Sequence, residues 1–269
     1  MRITVLSDNL PARGLEAEWG LSLYLEYQGH ALLLDTGASD LFARNAEALG
    51  LDLGAVAFGV LSHAHWDHAN GMDAFFARNP SAPFYLQASC GEVCFDHSPG
   101  LWRYEGPKRG LLDRFAPRLR YVTGAFSPLP GVTLLPHTTP GLEKRGEKVA
   151  MYRQGPDGLA PDDFAHEQTL VVVHGEELAI FSSCSHAGAD TVVEEVKAAF
   201  PGKSVRAFFG GFHLMGAGGA TTLGVRPEKA QALGERLLAL GVREIWTGHC
   251  TGRPAFVLLV PILGGRLHY

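Results

Sequence analysis

The stretch Leu61–Gly71, LSHAHWDHANG, decides how this chain is read. It grows out of an apolar run, Val56–Leu61, that has the composition of a buried strand. Where extended chain leaves that strand, His63 and His65 lie two residues apart and point to the same side. Asp67 and His68 follow on a turn, and Gly71 lets the backbone bend tightly. Four nitrogen and oxygen donors thus project from one loop, and imidazole and carboxylate are the ligands that zinc and related first-row cations take. The chain carries 12 histidines in 269 residues, so three of them crowded directly behind a strand point to a metal site rather than a polar surface loop.

One loop does not complete a site, and three further histidines stand where strands are expected to end in Gly-containing loops. His186 lies in SSCSHAG past the run Leu178–Ser182, His213 in GGFHLMG past Val205–Phe209, and His249 in TGHCTG past Arg243–Thr247. Strand ends of this kind collect functional groups in open α/β scaffolds. A hydrogen-bonded core histidine is the competing reading for His213, whereas small flanking residues leave room for a metal at His186 and His249. Asp35 closes the apolar run LLLDTG, and a buried carboxylate there requires a partner. Glu18 in AEWGLS reads either as a buried partner of the site or as a turn residue.

Outward from these loops the chain reads as two similar halves. In the first, Arg2–Ser7 is a strand, Leu21–Tyr27 and His30–Asp35 form a hairpin, and Ser39–Leu49 and Asp73–Arg78 are helices. In the second, Thr169–His174 and Glu177–Ser182 form a hairpin, followed by helix Asp190–Phe200, strand Val205–Phe209, helix Pro227–Leu240, strand Arg243–Thr247 and a final apolar strand, Phe256–Val260. Between them, about 91–163 is rich in Gly, Pro and aromatics and reads as an irregular insertion of loops and short strands. Residues 1–269 are expected to form a single α+β domain, with two sheets packed face to face and helices outside.

Composition narrows the function classes. With 46% hydrophobic residues, 19% charged residues and a net charge of −5, this is an ordinary globular chain without the basic stripe of a nucleic-acid or anionic-membrane binder. No run approaches the roughly 18 apolar residues of a membrane span, and MRITVLSDNL lacks the regions of a signal peptide. A cytoplasmic protein acting on a small, anionic molecule is expected, with no nucleic-acid or membrane partner. Cys90, Cys94, Cys184 and Cys250 follow no zinc-finger or disulfide spacing. Cys90 and Cys94, four apart, read as buried thiols first and as a metal pair second. Trp102, Arg103, Tyr104, Lys108 and Arg109 read as a surface for a flat anionic substrate or as a solvated lid.

HAHWDH matches the HxHxDH motif of the metallo-β-lactamase superfamily, and LLLDTG and the late GHC resemble two more of its motifs. Together with GLEAEWGLSLYLEY, SSCSHAGADTVVEEV, FFGGFHL and TGHCTG, the chain resembles the branch of dihydropterin ribofuranosyl-aminobenzene phosphate synthases, over residues 14 to 252. The resemblance implies a four-layer αββα sandwich of two mixed sheets. It implies two divalent metal ions, zinc first, with manganese or iron as alternatives. His63, His65 and His186 would hold one ion, and Asp67, His68 and His249 the other. Asp35 would orient a ligand histidine, and Asp67 and His213 would serve catalysis. One position departs from the pattern: Ser183-Cys184 stands where the superfamily carries a bridging aspartate, so Cys184 either replaces that ligand or packs beside it. His137 and His166 are alternatives to His186 as the middle histidine. The implied function is a hydrolase using metal-activated hydroxide on a small phosphorylated or heterocyclic metabolite. An iron-dependent redox or sulfur-oxidising member, an RNA-processing member and a non-catalytic member are the alternatives.

Overall fold

A computed structural model describes residues 1–12, 14–97, 100–216 and 218–269 of the chain. The first sheet contains β1 (Arg2–Ser7), β2 (Ser22–Tyr27), β3 (His30–Leu34), β4 (Val56–Val60), β5 (Phe84–Gln87) and, at its far edge, β8 (Leu119–Val122). An accessory sheet holds β6 (Cys94–His97), β7 (Trp102–Tyr104), β11 (Met151–Gly155) and β12 (Gly158–Pro161). The second main sheet contains β9 (Phe126–Leu129), β10 (Val132–Pro136), β13 (Gln168–His174), β14 (Glu177–Phe181), β15 (Ser204–Phe209), β18 (Glu244–Trp246) and β19 (Leu267–His268). A small hairpin pairs β16 (Met215–Gly216) with β17 (Gly219–Leu223).

Alternation along the strands assigns each face. Leu23, Leu25 and Tyr27 of β2, with Leu32 and Leu34 of β3 and Phe58 and Val60 of β4, pack against Val132, Leu134, Leu170, Val172, Ala179 and Phe181 of the opposite sheet. The intervening Tyr24 and Leu33 turn outward, beneath helices α1 (Leu41–Ala48) and α3 (Met72–Arg78). On the other side Val171, Leu178, Ile180, Phe208 and Ile245 pack under α6 (Ala189–Ala199), α7 (Pro227–Ala239) and α8 (Arg253–Leu263). Three apolar interfaces therefore separate four layers, helix–sheet–sheet–helix. A buried Leu or Phe contributes roughly 1.5–3 kcal/mol, so a one-residue slip of β2 would forfeit several such contributions at once.

Two expectations change. Phe256–Val260 is helix, the middle of α8, not a strand. Ala255, Leu259 and Leu263 recur every four residues and are buried, while Val257 and Val260 are 55% and 43% exposed. Gly252 and Pro254 in front of the run are a helix-start signal that its β-branched composition masks. The stretch 91–163 is also more regular than its Gly and Pro content implies. It supplies the whole accessory sheet, and its β8, β9 and β10 complete the two main sheets. The short helices α2 (Trp66–Ala69), α4 (Leu111–Arg114) and α5 (Glu143–Lys148) lie in connections. No helix among the described residues is long and apolar enough to cross a membrane.

Candidate metal centre

β3 and β4 run parallel, as do β14, β15 and β18, and their carboxyl ends deliver the functional loops to one place. Asp35 follows β3, His63–His68 follow β4, Cys184 and His186 follow β14, His213 follows β15 and His249 follows β18. His63, His65 and His186 bring donor atoms within 4.8 Å of one another, and Asp67, His68 and His249 do the same. All six are buried. Four of them, His65, Asp67, His186 and His249, line a cavity of about 570 Å³. The accessory sheet supplies one wall through Asp96, Arg103 and Glu105, and Met215, Gly216 and Gly219 of the β16–β17 hairpin supply another.

Asp35 sets the tautomers. Its Oδ2 accepts from Ser62 Oγ at 2.7 Å, Ser183 Oγ at 2.6 Å and His68 Nδ1 at 2.8 Å, and its Oδ1 accepts from Ser62 N at 2.7 Å. The Ser62 hydroxyl has then spent its single proton, so at 2.7 Å it accepts from His63 Nδ1. His63 Nε2 is left with a lone pair, 3.2 Å from Nε2 of His186. His68, held through Nδ1 by Asp35, turns its Nε2 toward Asp67 Oδ2 at 3.4 Å. Asn9 Oδ1 accepts from His249 Nδ1 at 3.0 Å and from Gly20 N, so Nε2 of His249 also faces Asp67 Oδ2, at 3.4 Å. Ring nitrogens and a carboxylate converge here, and buried Nε2 of His249 and Nδ1 of His186 have no hydrogen-bond partner.

This donor set fits divalent cations. Two nitrogens sharing a tetrahedral zinc at roughly 2.0–2.1 Å stand about 3.3 Å apart, close to the His63–His186 separation. Burial and the neighbouring imidazoles of His68 and His65 hold His63 well below the ordinary histidine range, and burial with His213 and His65 does the same for His186. Both are therefore neutral at pH 7, as ligands must be. Burial disfavours charge on His68, yet Asp67 and Asp35 override it and carry its pKa up to about 10, a measure of how strongly these acceptors demand positive charge. Burial opposes ionisation of Asp67 as well, but His68 and His249 keep its carboxyl well below the usual range.

Cys184 is buried beside the cavity with Sγ 3.3 Å from His68 Nε2. Its sulfur groups with His63 and His68 and, separately, with His249 and Cys250, which puts it between the two trios. His213 borders the cavity with its ring 4.4 Å from that of His186, in a left-handed backbone conformation (φ 49°). His137 is removed from the ligand set, because its two nitrogens bind Glu195 at 2.7 Å and Glu167 at 2.8 Å. Glu167 in turn accepts the backbone N–H groups of His186 and Ala187, at 3.0 and 3.1 Å, and so fixes the His186 loop. His166 accepts from Ala64 N through Nδ1 and turns Nε2 to Asp162 rather than to the trios. Glu18 caps the turn after Asp35, accepting from Ala38 N and Ser39 N. Of the proposed aromatic and basic surface only Arg103 lines the cavity; Trp102 stacks on His97, and Arg109 lies 3.8 Å over the Tyr104 ring. Sequence reading missed Asn9, Ser62 and Ser183, for which adjacency to a strand end was the one available signal.

Residues 20–143 match the family model of the metallo-β-lactamase superfamily. The crystal structure of Tm1679, described as a metal-dependent hydrolase of the β-lactamase superfamily, superposes with a TM-score of 0.81 at 25% identity, covering 98% of this chain and 94% of that one. The chain has the metallo-β-lactamase fold. Within that fold it is also similar to the 7,8-dihydropterin-6-methyl-4-(β-D-ribofuranosyl)-aminobenzene-5'-phosphate synthase of Methanocaldococcus jannaschii, at 25% identity over 248 residues, 88% of this chain and 82% of the relative. The metallo-β-lactamase fold implies use of divalent metal, and the two buried trios are where this chain offers donors for it.

Proposed function

We propose that the chain is a metal-dependent hydrolase of a small anionic metabolite, with His63, His65 and His186 holding one divalent cation and Asp67, His68 and His249 a second. The observation that carries this reading is the pair of adjacent buried donor trios at one cavity, with Nε2 of His63 and of His68 aimed inward by Asp35. Zinc suits the imidazole and carboxylate donors, and manganese or iron are the alternatives. When bound, the cations supply Lewis-acid polarisation of the scissile group and a lowered pKa for water. Asp67 turns one oxygen to His68 and His249 and keeps the other to take a proton from the attacking water. His213, at the cavity edge, donates a hydrogen bond to the leaving oxygen. Cys184, whose sulfur lies beside donors of both trios, would stand in the place of the superfamily's bridging aspartate.

An anionic substrate is supported by the cations around the cavity. Arg103 and Lys148 line it. Two cations on the wall of one cavity favour a phosphate or carboxylate between them. The similarity to a synthase whose name includes a pterin and a 5'-phosphate supports a phosphorylated or heterocyclic substrate. A panel of phosphomonoesters, phosphodiesters and pterin phosphates tests the reading. Turnover should appear in the metal-loaded protein and fall by at least about a hundredfold in Asp67→Ala. Turnover unchanged in that variant would overturn the assignment.

A further inference from the structure

The ring nitrogens that face away from the centre are held by oxygen in three of the ligand histidines: Ser62 holds His63, Asp35 holds His68 and Asn9 holds His249. His65 differs. The group against its ring is the sulfur of Cys94, at the start of β6 in the accessory sheet, which lies within 4.8 Å of a ring nitrogen of His65. Behind Cys94 stands a buried chain. Cys94 Sγ lies 3.7 Å from His166 Nε2, and the same nitrogen lies 3.0 Å from Asp162 Oδ2. Asp162 is fixed through Oδ1, which accepts from Phe164 N at 2.8 Å, and His166 O accepts from Cys90 Sγ at 3.2 Å. Cys94, His166 and Asp162 are each 1% exposed.

Although His65, Cys94 and His166 bring ligand-type atoms together, the cluster is not arranged as a metal site of its own. His166 Nδ1 accepts from Ala64 N at 3.1 Å, so the proton sits on Nε2 and that nitrogen has no lone pair to give. Ala64 is also the residue between His63 and His65, so the same imidazole that touches Cys94 tethers the backbone between two ligands. We propose that Cys94, braced by His166 and Asp162, is the positioning residue that fixes the ring of His65 for coordination. The inference rests on the metal reading above. It gives the accessory sheet a part in the centre, because β6 carries Cys94 at one end and cavity-lining Asp96 two residues on. The sheet that walls the cavity thus also anchors a ligand.

Cobalt reconstitution and nitrogen-15 histidine NMR on the full chain test it together. In Cys94→Ala, cobalt affinity should fall about 10–100-fold and the visible d–d bands should shift, while Cys94→Ser, which keeps an acceptor, recovers most of the affinity. In the metal-free protein, His65 should show one tautomer in wild type and in Cys94→Ser but an averaged pair in Cys94→Ala. Asp162→Asn should move both signals in the direction of Cys94→Ala, by less. Wild-type cobalt affinity and spectrum with an unmoved His65 signal in Cys94→Ala would overturn the proposal, even with a lowered melting temperature. A protein that takes up no cobalt but shows the tautomer change would refute the metal reading and retain Cys94 as the anchor of the ring. If the alanine variant does not fold, an unmoved His65 signal in Asp162→Asn overturns the proposal by itself.

Discussion

At the scale of residues, the six donors named from sequence are brought together by the fold, because each follows the end of a strand and strand ends are legible. What holds them is less so. Asp35 was recognisable as a carboxylate closing an apolar run, but its partners Ser62 and Ser183 come from different sheets and no local pattern announces them. Asp35→Asn puts an amide where three donors converge, and affinity for the metal at His68 should fall about 10–100-fold in a calorimetric titration; an unchanged isotherm would contradict the tautomer argument. The Glu195–His137–Glu167 chain makes a separate prediction. Burial opposes charge on His137, but Glu167 and Glu195 raise its pKa from 6.5 to about 9, and despite burial His137 lowers Glu167 from 4.5 to about 2. The histidine therefore stabilises the fold fully below pH 6.5 and loses that contribution as the pH rises through 9. The glutamate contributes above pH 4.5 and loses it as the pH falls toward 2. His137→Ala, which leaves two buried carboxylates unpaired, should cost about 3–5 kcal/mol at neutral pH. It should also flatten the decline in melting temperature between pH 6.5 and 9; a decline as steep as in wild type would contradict the pairing.

At the scale of elements, alternation located the strands of both hairpins because each has one face in an inter-sheet interface and one under helices. It failed at α8, where a run of Val and Leu is long enough to satisfy either period and the deciding Gly252 and Pro254 precede it. It also underrated residues 91–163, whose strands are short and take their pairing from distant partners, as β8 does from β5. The loop that carries His213 depends on Gly210. That residue has φ +136°, and a Cβ there would stand 1.9 Å from the carbonyl oxygen of Ser182, which is backbone and has nowhere to go. Gly210→Ala should destabilise the protein by about 2–4 kcal/mol and displace the His213 loop, measured by denaturant unfolding. A loss below about 0.5 kcal/mol would show that the loop adapts.

At the scale of the whole molecule, four layers place the carboxyl ends of parallel strands from both sheets at one cavity, and the donors come from three stretches as far apart as His63 and His249. A site assembled from such distant parts ties stability to what it binds. At a hundred times its dissociation constant, a cation that binds only the folded chain adds about 2.7 kcal/mol, so chelation should lower the melting temperature and readdition of zinc should restore it. The central claim, two adjacent trios of donors for divalent cations, is tested most directly by elemental mass spectrometry on protein purified without added metal, beside His63→Ala and His249→Ala. The account predicts about two divalent ions per chain, with each variant losing about one. Metal-free wild-type protein that also takes up none on reconstitution, or variants that keep the full complement, would contradict it.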